Sequence, residues 1–354
     1  FTPMKRLHYL SILAISAMIG LFSCEGKHEF TIADFMVGDD YYIDTICEAN
    51  GNLYCLLCNP TCGVNVLYDR EGILAYSSQL NVDSINGTTF NVSGFMKDID
   101  VDFSNQESIE KLKAQYPYYP EFRVECRAYE HKGNQAANYG LTAEVASGKV
   151  PHNKALNAWI KYNLGDTIDA IDYKTTVDTV ASRAAAEFFS DLDEYGDAPD
   201  SEIVYQLTQS ALLYDLTDYY ATFLYYTYSY TGGAHGMYAL NLATFAFTDG
   251  KSVDQAYLFK PGTEDAVQEL LYEAIANDKH WTESHGEMTA AEVKEQLGDL
   301  DAGMPQPAIT RQGIVYCFQP YDIDCYAEGE YEFVIPISKL MPYFTDHAIA
   351  LVGE

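Results

Sequence analysis

From Tyr219 to Thr248 the side chains alternate at a period of two. Tyr220, Thr222, Leu224, Tyr226 and Tyr228 fall on one side of the alternation, and Ala221, Phe223 and Tyr225 on the other. In the next run Tyr238, Leu240 and Leu242 alternate with Ala239, Ala243 and Phe245. Period two is the spacing of a strand. Between the runs lies Tyr228-Ser-Tyr-Thr-Gly-Gly-Ala-His-Gly236, whose glycines supply the positive φ that strand connections use. The pattern predicts a meander of strands over 203–213, 219–230 and 237–248.

A different period precedes the meander. After Pro151, the residues Leu156, Trp159, Ile160, Leu164, Ile168 and Ile171 recur at steps of three and four, which predicts a helix with one apolar stripe. Val177, Val180, Ala184, Phe188 and Leu192 predict a second helix after a break near Asp172. Further helices are expected at 264–277 and 288–297, with closing strands near 308–319 and 330–337. The fold class expected is α+β, an antiparallel sheet with helices packed on one face.

Upstream, from 31 to 103, short apolar runs are broken by Asn50-Gly51, Asn59-Pro60, Arg70-Glu-Gly72 and Asn86-Gly87. Turn signals this close together predict a small all-β domain, a meander or sandwich. Residues 104–115 read as a helical connector, and Pro117 and Pro120 reset the chain into an extended 122–130. The expected division is a signal peptide over 1–23, a tether over 24–30, the β domain over 31–103, a connector over 104–120, the α+β domain over 121–345 and a tail over 346–354.

The chain's start sets its expected address. Phe1-Thr-Pro3 reads as an extension ahead of Met4. Lys5 and Arg6 precede an apolar run from Leu10 to Phe22, followed by Ser23 and Cys24. A basic start and a short apolar core describe a secretory signal, and the core is shorter than the roughly 20 residues of a membrane span. Leu21-Phe-Ser-Cys24 resembles the bacterial lipoprotein box, which implies lipidation of Cys24 and a cell-envelope location, at the periplasmic face or the surface of an outer membrane. A lipid anchor would then be its membrane attachment.

Formal charge is −31 over 354 residues. Lys5 and Arg6 are the formally charged residues of 1–23, so cutting before Cys24 leaves −33. Such a surface repels nucleic acid and anionic lipid and favours cationic partners. It also keeps an exposed protein soluble.

The Tyr-Thr-Gly-Gly-Ala-His-Gly stretch over 230–236 resembles the domain of unknown function at the C-terminus of RsiV-type anti-sigma factors, relatives of which accompany PdaC-type peptidoglycan deacetylases. The similarity continues in order through Phe247-Thr-Asp-Gly-Lys251, Ala256-Tyr-Leu-Phe-Lys-Pro-Gly262, the strand-like 313–323 and Glu332-Phe-Val-Ile-Pro-Ile-Ser-Lys-Leu340. It covers 200–345, with the region from 120 resembling the deacetylase-associated domain more loosely. The resemblance implies binding of an extracellular protein, since RsiV-type proteins bind lysozyme, a basic protein. Those proteins carry a cytoplasmic segment and a membrane span ahead of the domain; here a lipoprotein-type signal and a β-rich region stand in those places. Transmembrane control of a sigma factor is therefore not expected. The deacetylases keep their metal-binding catalysis in a separate domain with a Thr-x-Asp-Asp-Gly run and a His-x-x-x-His pair, and this sequence contains neither.

Eleven of the thirteen residues over 219–231 are Tyr, Thr, Phe or Ser, so one sheet face is expected to be aromatic and hydroxyl-rich. Tyrosine combines rigid area with a polar tip, which suits protein and glycan surfaces, and also has high strand propensity. The ligand-binding candidates are Tyr226, Tyr228, Tyr230, Gly232, Gly233, His235 and Tyr321. His235 is also placed to lock its loop by bonding a backbone carbonyl, and no catalytic partner is spaced to serve it. His280 and His285 sit five apart, off the one-turn step of a helical zinc pair, and are expected at the surface.

Asp191, Asp193 and Glu202 occupy positions one, three and twelve of an EF-hand-like spacing, with Gly196 at six. Tyr195 and Pro199 replace ligand positions, leaving a weak calcium-loop candidate or a solvated acidic loop.

Beyond Cys24 the cysteines are Cys47, Cys55, Cys58, Cys62, Cys126, Cys317 and Cys325. In an oxidising compartment they are read as disulfides or core thiols rather than metal or redox sites. Cys47 would meet Cys55 if a one-residue bulge falls in their hairpin, Cys317 and Cys325 would staple the loop between them, and one thiol is left over. No cofactor is expected.

Two functions of different class remain. One is a non-enzymatic envelope lipoprotein that binds an extracellular or periplasmic protein, lysozyme-like, or peptidoglycan. The other is an enzyme, or its accessory module, acting on peptidoglycan or glycans.

Overall fold

The computed structural model describes residues 42–49, 52–59, 64–68, 73–77, 81–86, 89–93, 99–115, 119–133, 135–165, 176–195, 203–298, 300 and 304–353. The expected signal peptide and tether, Cys24, Ile168 and Ile171 lie outside them. Among the described residues no helix is long and apolar enough to cross a membrane.

Strands β1 (Tyr42–Ala49), β2 (Asn52–Asn59), β3 (Val64–Tyr68) and β4 (Ile73–Ser77) form one antiparallel meander. Strands β5 (Asn81–Asn86), β6 (Thr89–Ser93) and β7 (Ile99–Asp102) form a second. Helix α1 (Gln106–Gln115) buries Ile109 and Leu112, and beside it Phe103 stacks on Tyr54 at 4.3 Å. The expected connector thus closes over the β-rich region. In the β1–β2 hairpin Cys47 faces Tyr54 and Cys55 faces Ile46. The register shift falls between Ile43 and Thr45, so no bulge lies between the two cysteines to bring them opposite each other.

The larger part of the chain is built on a six-stranded sheet. Its strands are β8 (Phe122–Lys132), β9 (Ala136–Ala146), β10 (Val204–Leu216), β11 (Tyr220–Tyr230), β12 (Met237–Ala246) and β13 (Ser252–Val253), ordered β13-β12-β11-β10-β9-β8. All neighbours are antiparallel except β9 and β10. A parallel step needs a crossover, and helices α2 (Asn153–Asn163) and α3 (Val177–Tyr195) lie in that connection.

These helices cover one sheet face. Trp159 meets Phe223, Tyr225 and Phe245 with ring centroids 5.6–6.0 Å apart. Val177, Val180, Phe188 and Leu192 are buried as their spacing predicts, with Ala181 and Ala185 beside them. Helix α2 ends at Asn163, and Gly165 just beyond its cap takes φ 97°.

The closing strands form a sheet of their own rather than joining the first. It comprises β14 (Ala308–Thr310), β15 (Gly313–Phe318) and β16 (Tyr331–Ile335), in that order. The single run expected over 308–319 is split by a turn at Arg311 and Gln312. Gly313 allows the close approach that follows, since a Cβ there would collide with the Ile335 carbonyl. Ala308, Val315 and Cys317 pack on Leu212, Leu224, Leu240 and Leu242 of the large sheet.

The alternate residues Ile314, Tyr316, Phe318, Phe333 and Ile335 face a second core. That core is shared with helices α4 (Gln255–Leu258), α5 (Glu264–Ala276), α6 (Lys279–His285), α7 (Ala290–Leu297), α8 (Ile337–Leu340) and α9 (Asp346–Val352). The α+β class holds, as four layers: helices, six strands, three strands, helices.

A closed hydroxyl chain ties the two sheets. The Ile309 N–H donates to Thr244 Oγ1 at 2.9 Å, Thr244 and Thr222 share a bond of 2.8 Å, and Thr222 donates to the Ile309 carbonyl at 2.6 Å. Thr222 and Thr244 are fully buried cross-strand partners, so each polar atom needs the others.

Cys317 and Cys325 are both free. Cys317 is buried between the sheets with its thiol on the Leu240 carbonyl at 3.4 Å, whereas Cys325 is exposed. They therefore do not staple their loop. Cys126 is disulfide-bonded.

Candidate functional site: the aromatic end of the large sheet

The residues of β11 from Tyr220 to Tyr225 are buried, and those from Tyr226 to Tyr230 only half-buried. The strand starts in the core and ends at the surface, carrying its tyrosines with it. The connection to β12 places Gly232 and Gly233 at φ 103° and 90°, where a Cβ would strain the backbone. The Tyr230 hydroxyl closes the loop onto the Gly233 carbonyl at 3.1 Å. Tyr228 faces Tyr238 across the ladder and packs over Gly236, which has no room for a Cβ while the Tyr228 ring stays in place.

His235 Nδ1 donates to the Gly236 carbonyl at 2.9 Å, as its loop-locking role requires, and its ring stacks on Tyr326 at 4.4 Å. Tyr326 comes from the loop between β15 and β16. Its hydroxyl also reaches the Gly236 carbonyl, at 2.7 Å. Tyr238 and Tyr321 pack against the same ring at 5.8 and 5.6 Å. Tyr226 joins through Tyr238 at 6.2 Å. Tyr321 is 59% exposed and holds φ 77°, an uncommon conformation for a non-glycine residue.

The loop is held by Gln319, whose side chain accepts from the Leu240 N–H at 2.6 Å and donates to the Leu240 carbonyl. That pairing satisfies backbone groups on the strand edge. The structure thus brings Tyr226, Tyr228, His235 and Tyr321 into one patch, with Tyr230, Gly232 and Gly233 shaping its loop. Tyr238 and Tyr326 were not singled out from the sequence. Tyr238 lay in the alternating run, but nothing local marks Tyr326, which sits 90 residues beyond Gly236.

An acidic cleft adjoins the patch. A cavity of about 380 Å³ is lined by Asp278, His280, Glu328, Glu330 and Glu332. The Tyr238 hydroxyl donates to Glu330 at 2.6 Å and so joins patch to cleft. Burial, and then the Glu330 carboxylate, push the Tyr238 hydroxyl well above its ordinary value; burial and Tyr228 push Tyr226 up to about 12. Both stay neutral hydrogen-bonding groups at physiological pH.

The remaining candidates fall outside the aromatic patch, His280 among them on the wall of the acidic cleft. His280 is exposed and stacks on Tyr331 at 4.4 Å. His285 is not the free surface group expected: it lies against Trp281 at 3.8 Å, with Nε2 on Asp324 at 3.1 Å. Asp191 and Asp193 lie in helix α3, not in a loop, and Asp193 takes His131 Nε2 at 3.0 Å. Glu202 lies outside the described residues. Among the described residues no cluster of three or more His, Cys, Asp or Glu is arranged to hold a metal.

Comparison with known proteins bears on the fold and on one domain. No curated protein matches the chain. A crystal structure of a DUF3298 family member from Bacteroides fragilis NCTC 9343 matches with a TM-score of 0.52 and 16% identity, over 65% of this chain and 96% of that one. A DUF3298 family protein from Pseudomonas aeruginosa PAO1 gives a TM-score of 0.47 and 17% identity, over 66% and 98%. At these identities the Bacteroides likeness speaks for the fold alone. Residues 256–338 carry a DUF3298 domain, a family described as a protein of unknown function, so the match takes in Tyr321, Tyr326 and the acidic cleft while the glycine-rich hairpin lies just before it.

Proposed function

We propose that the protein is a non-enzymatic, lipid-anchored envelope protein whose α+β domain binds a basic extracellular protein, lysozyme-like, through its aromatic end. The observation that carries this reading is the junction of the tyrosine patch with the acidic cleft through Tyr238 and Glu330. Aromatic side chains give contact area at low entropic cost. Carboxylates beside them suit Lys and Arg, and the formal charge of −31 steers a cationic partner from a distance. The resemblance to RsiV-type domains points to the same class of ligand, and the sequence at Cys24 supplies the anchor.

The glycan-acting alternative needs an acid held protonated beside a second carboxylate in an open cleft. Burial pushes Glu144 up to about 7, but it bonds the Leu213 N–H inside the sheet and lines neither this cleft nor the larger one described below. That favours the binding reading.

The test is calorimetric titration of the full chain with a C-type lysozyme at physiological and at high salt, alongside Tyr326→Ala and a lysozyme activity assay. The reading expects binding that survives salt and weakens at least about tenfold in the variant, the effect of losing one well-packed aromatic anchor. Binding abolished by salt would be charge attraction alone. That result, or none, would overturn the lysozyme-like ligand.

A further inference from the structure

At the opposite end of the large sheet lies a second, larger cleft of about 790 Å³. It is walled by the start of β8, the β9–α2 loop, the β10–β11 turn, the β14–β15 turn and helix α9. This size falls within the roughly 300–1,000 Å³ of small-ligand sites. Tyr119 and Phe247 offer rings to it and Leu351 an apolar wall, while Tyr219 stands 45% exposed at its rim.

Arg311 enters the cleft from the β14–β15 turn with its side chain 55% exposed. Its orientation is fixed from behind. Nε lies 3.3 Å from Asp215 Oδ1, while Nη2 donates to the Tyr119 hydroxyl at 3.3 Å and to the Leu216 carbonyl. Asp215 is itself buried and held by the Arg311 N–H at 2.7 Å, the Leu216 N–H at 2.9 Å and the Tyr220 hydroxyl at 3.2 Å. Every acceptor that orients the guanidinium therefore sits on the protein side. Nη1 keeps its donors without a hydrogen-bond partner among the described residues.

We infer that this cleft binds a carboxylate borne on an apolar body, the C-terminal end of a peptide being the chemistry that fits, and that Arg311 pairs with the carboxylate. The lining charge selects the ligand's valence. Arg311 and Lys149 stand against Glu121 and Asp218 on the wall and Asp215 behind Arg311, a formal charge of −1 that disfavours ligands of higher negative charge. A phosphate dianion would face two carboxylates there, whereas a single carboxylate can take the oriented guanidinium. The rings and aliphatic wall then take the side chain next to it.

The test titrates the full chain with N-acetyl-leucyl-phenylalanine as the free acid, as its C-terminal amide, and with inorganic phosphate, followed by chemical shift changes. The free acid is expected to bind about tenfold or more tightly than the amide, the loss of a charge-assisted hydrogen bond. Arg311→Gln is expected to bring the acid down to the amide's level and leave the amide unchanged. Equal binding of acid and amide, tighter binding of phosphate, or no binding at millimolar concentration would overturn the site. The acid–amide comparison on the unaltered protein decides the matter even where Arg311→Gln fails to fold. Its residues are separate from the aromatic patch, so failure here leaves the protein-ligand reading standing.

Discussion

The two halves of β11 share its tyrosines and threonines and meet opposite fates. In the first half, Phe223 and Leu224 are fully buried against both neighbouring layers, and Thr222 closes the hydroxyl chain to Ile309. In the second, Tyr226, Tyr228 and Tyr230 emerge half-buried, and Tyr226 is linked through Tyr238 to Tyr326, on a loop about a hundred residues away. Strand propensity alone does not separate these halves. What separates them is cover: the helices and the second sheet bury the first half, and the second is left to a small set of tyrosines and a histidine. The first half serves stability; under the proposed function the second serves recognition.

The comparison breaks most visibly at Phe223. Phe223→Ala should cost about 3–5 kcal/mol, the usual loss for a fully buried ring, read from denaturant unfolding. A loss below roughly 1 kcal/mol would mean that the first half is not core.

Glu144 offers a pH-resolved test on a neighbouring strand. Burial raises its carboxyl from the ordinary 4.5 to about 7. An acid whose folded pKa is raised favours the fold when protonated, so this contribution is fully present below about 4.5 and is lost as pH rises to about 7. Glu144→Gln keeps an acceptor for the Leu213 N–H. It should raise stability at pH 8 relative to pH 5, by up to about 3 kcal/mol. Unchanged pH dependence of the melting temperature in the variant would contradict this.

Thr222→Val keeps the shape but leaves the Ile309 carbonyl and one Thr244 hydroxyl bond unmade, a loss of about 1–3 kcal/mol. Thr222→Ser should recover much of it. At the exposed end the effect on stability should be smallest. Tyr326→Ala removes one hydrogen bond to Gly236 and a ring stack, about 1 kcal/mol or less, with its main consequence in ligand binding.

The periods of two and three-to-four revealed the meander, α2, α3 and the α+β class, because α2 and α3 each turn one apolar stripe to the sheet and the strands keep a strict alternation. The assignment of strands to sheets was not legible in the same way. Ile314, Tyr316 and Phe318 alternate with Val315 and Cys317, and both sets are buried. A strand covered on both faces gives no sign of which neighbour it joins. β9 was overlooked although Ala137, Tyr139, Leu141, Ala143 and Val145 alternate into the core.

At the candidate site, Tyr226, Tyr228 and His235 stood out because they surround one hairpin. Tyr326, Glu330, and the pair Asp215 and Arg311 did not, because their proximity is created by tertiary packing. The cysteine pairing failed for a related reason. A short loop brings Cys317 and Cys325 close in sequence, but β15 turns Cys317 inward while Cys325 stays at the surface.

The most direct test of the division within β11 is hydrogen exchange of the full chain with and without a C-type lysozyme, read peptide by peptide. The account predicts new protection in 226–238 and 319–330, with none around 216–220 and 309–312. Protection confined to the Arg311 end, or no change anywhere under saturating lysozyme, would contradict it.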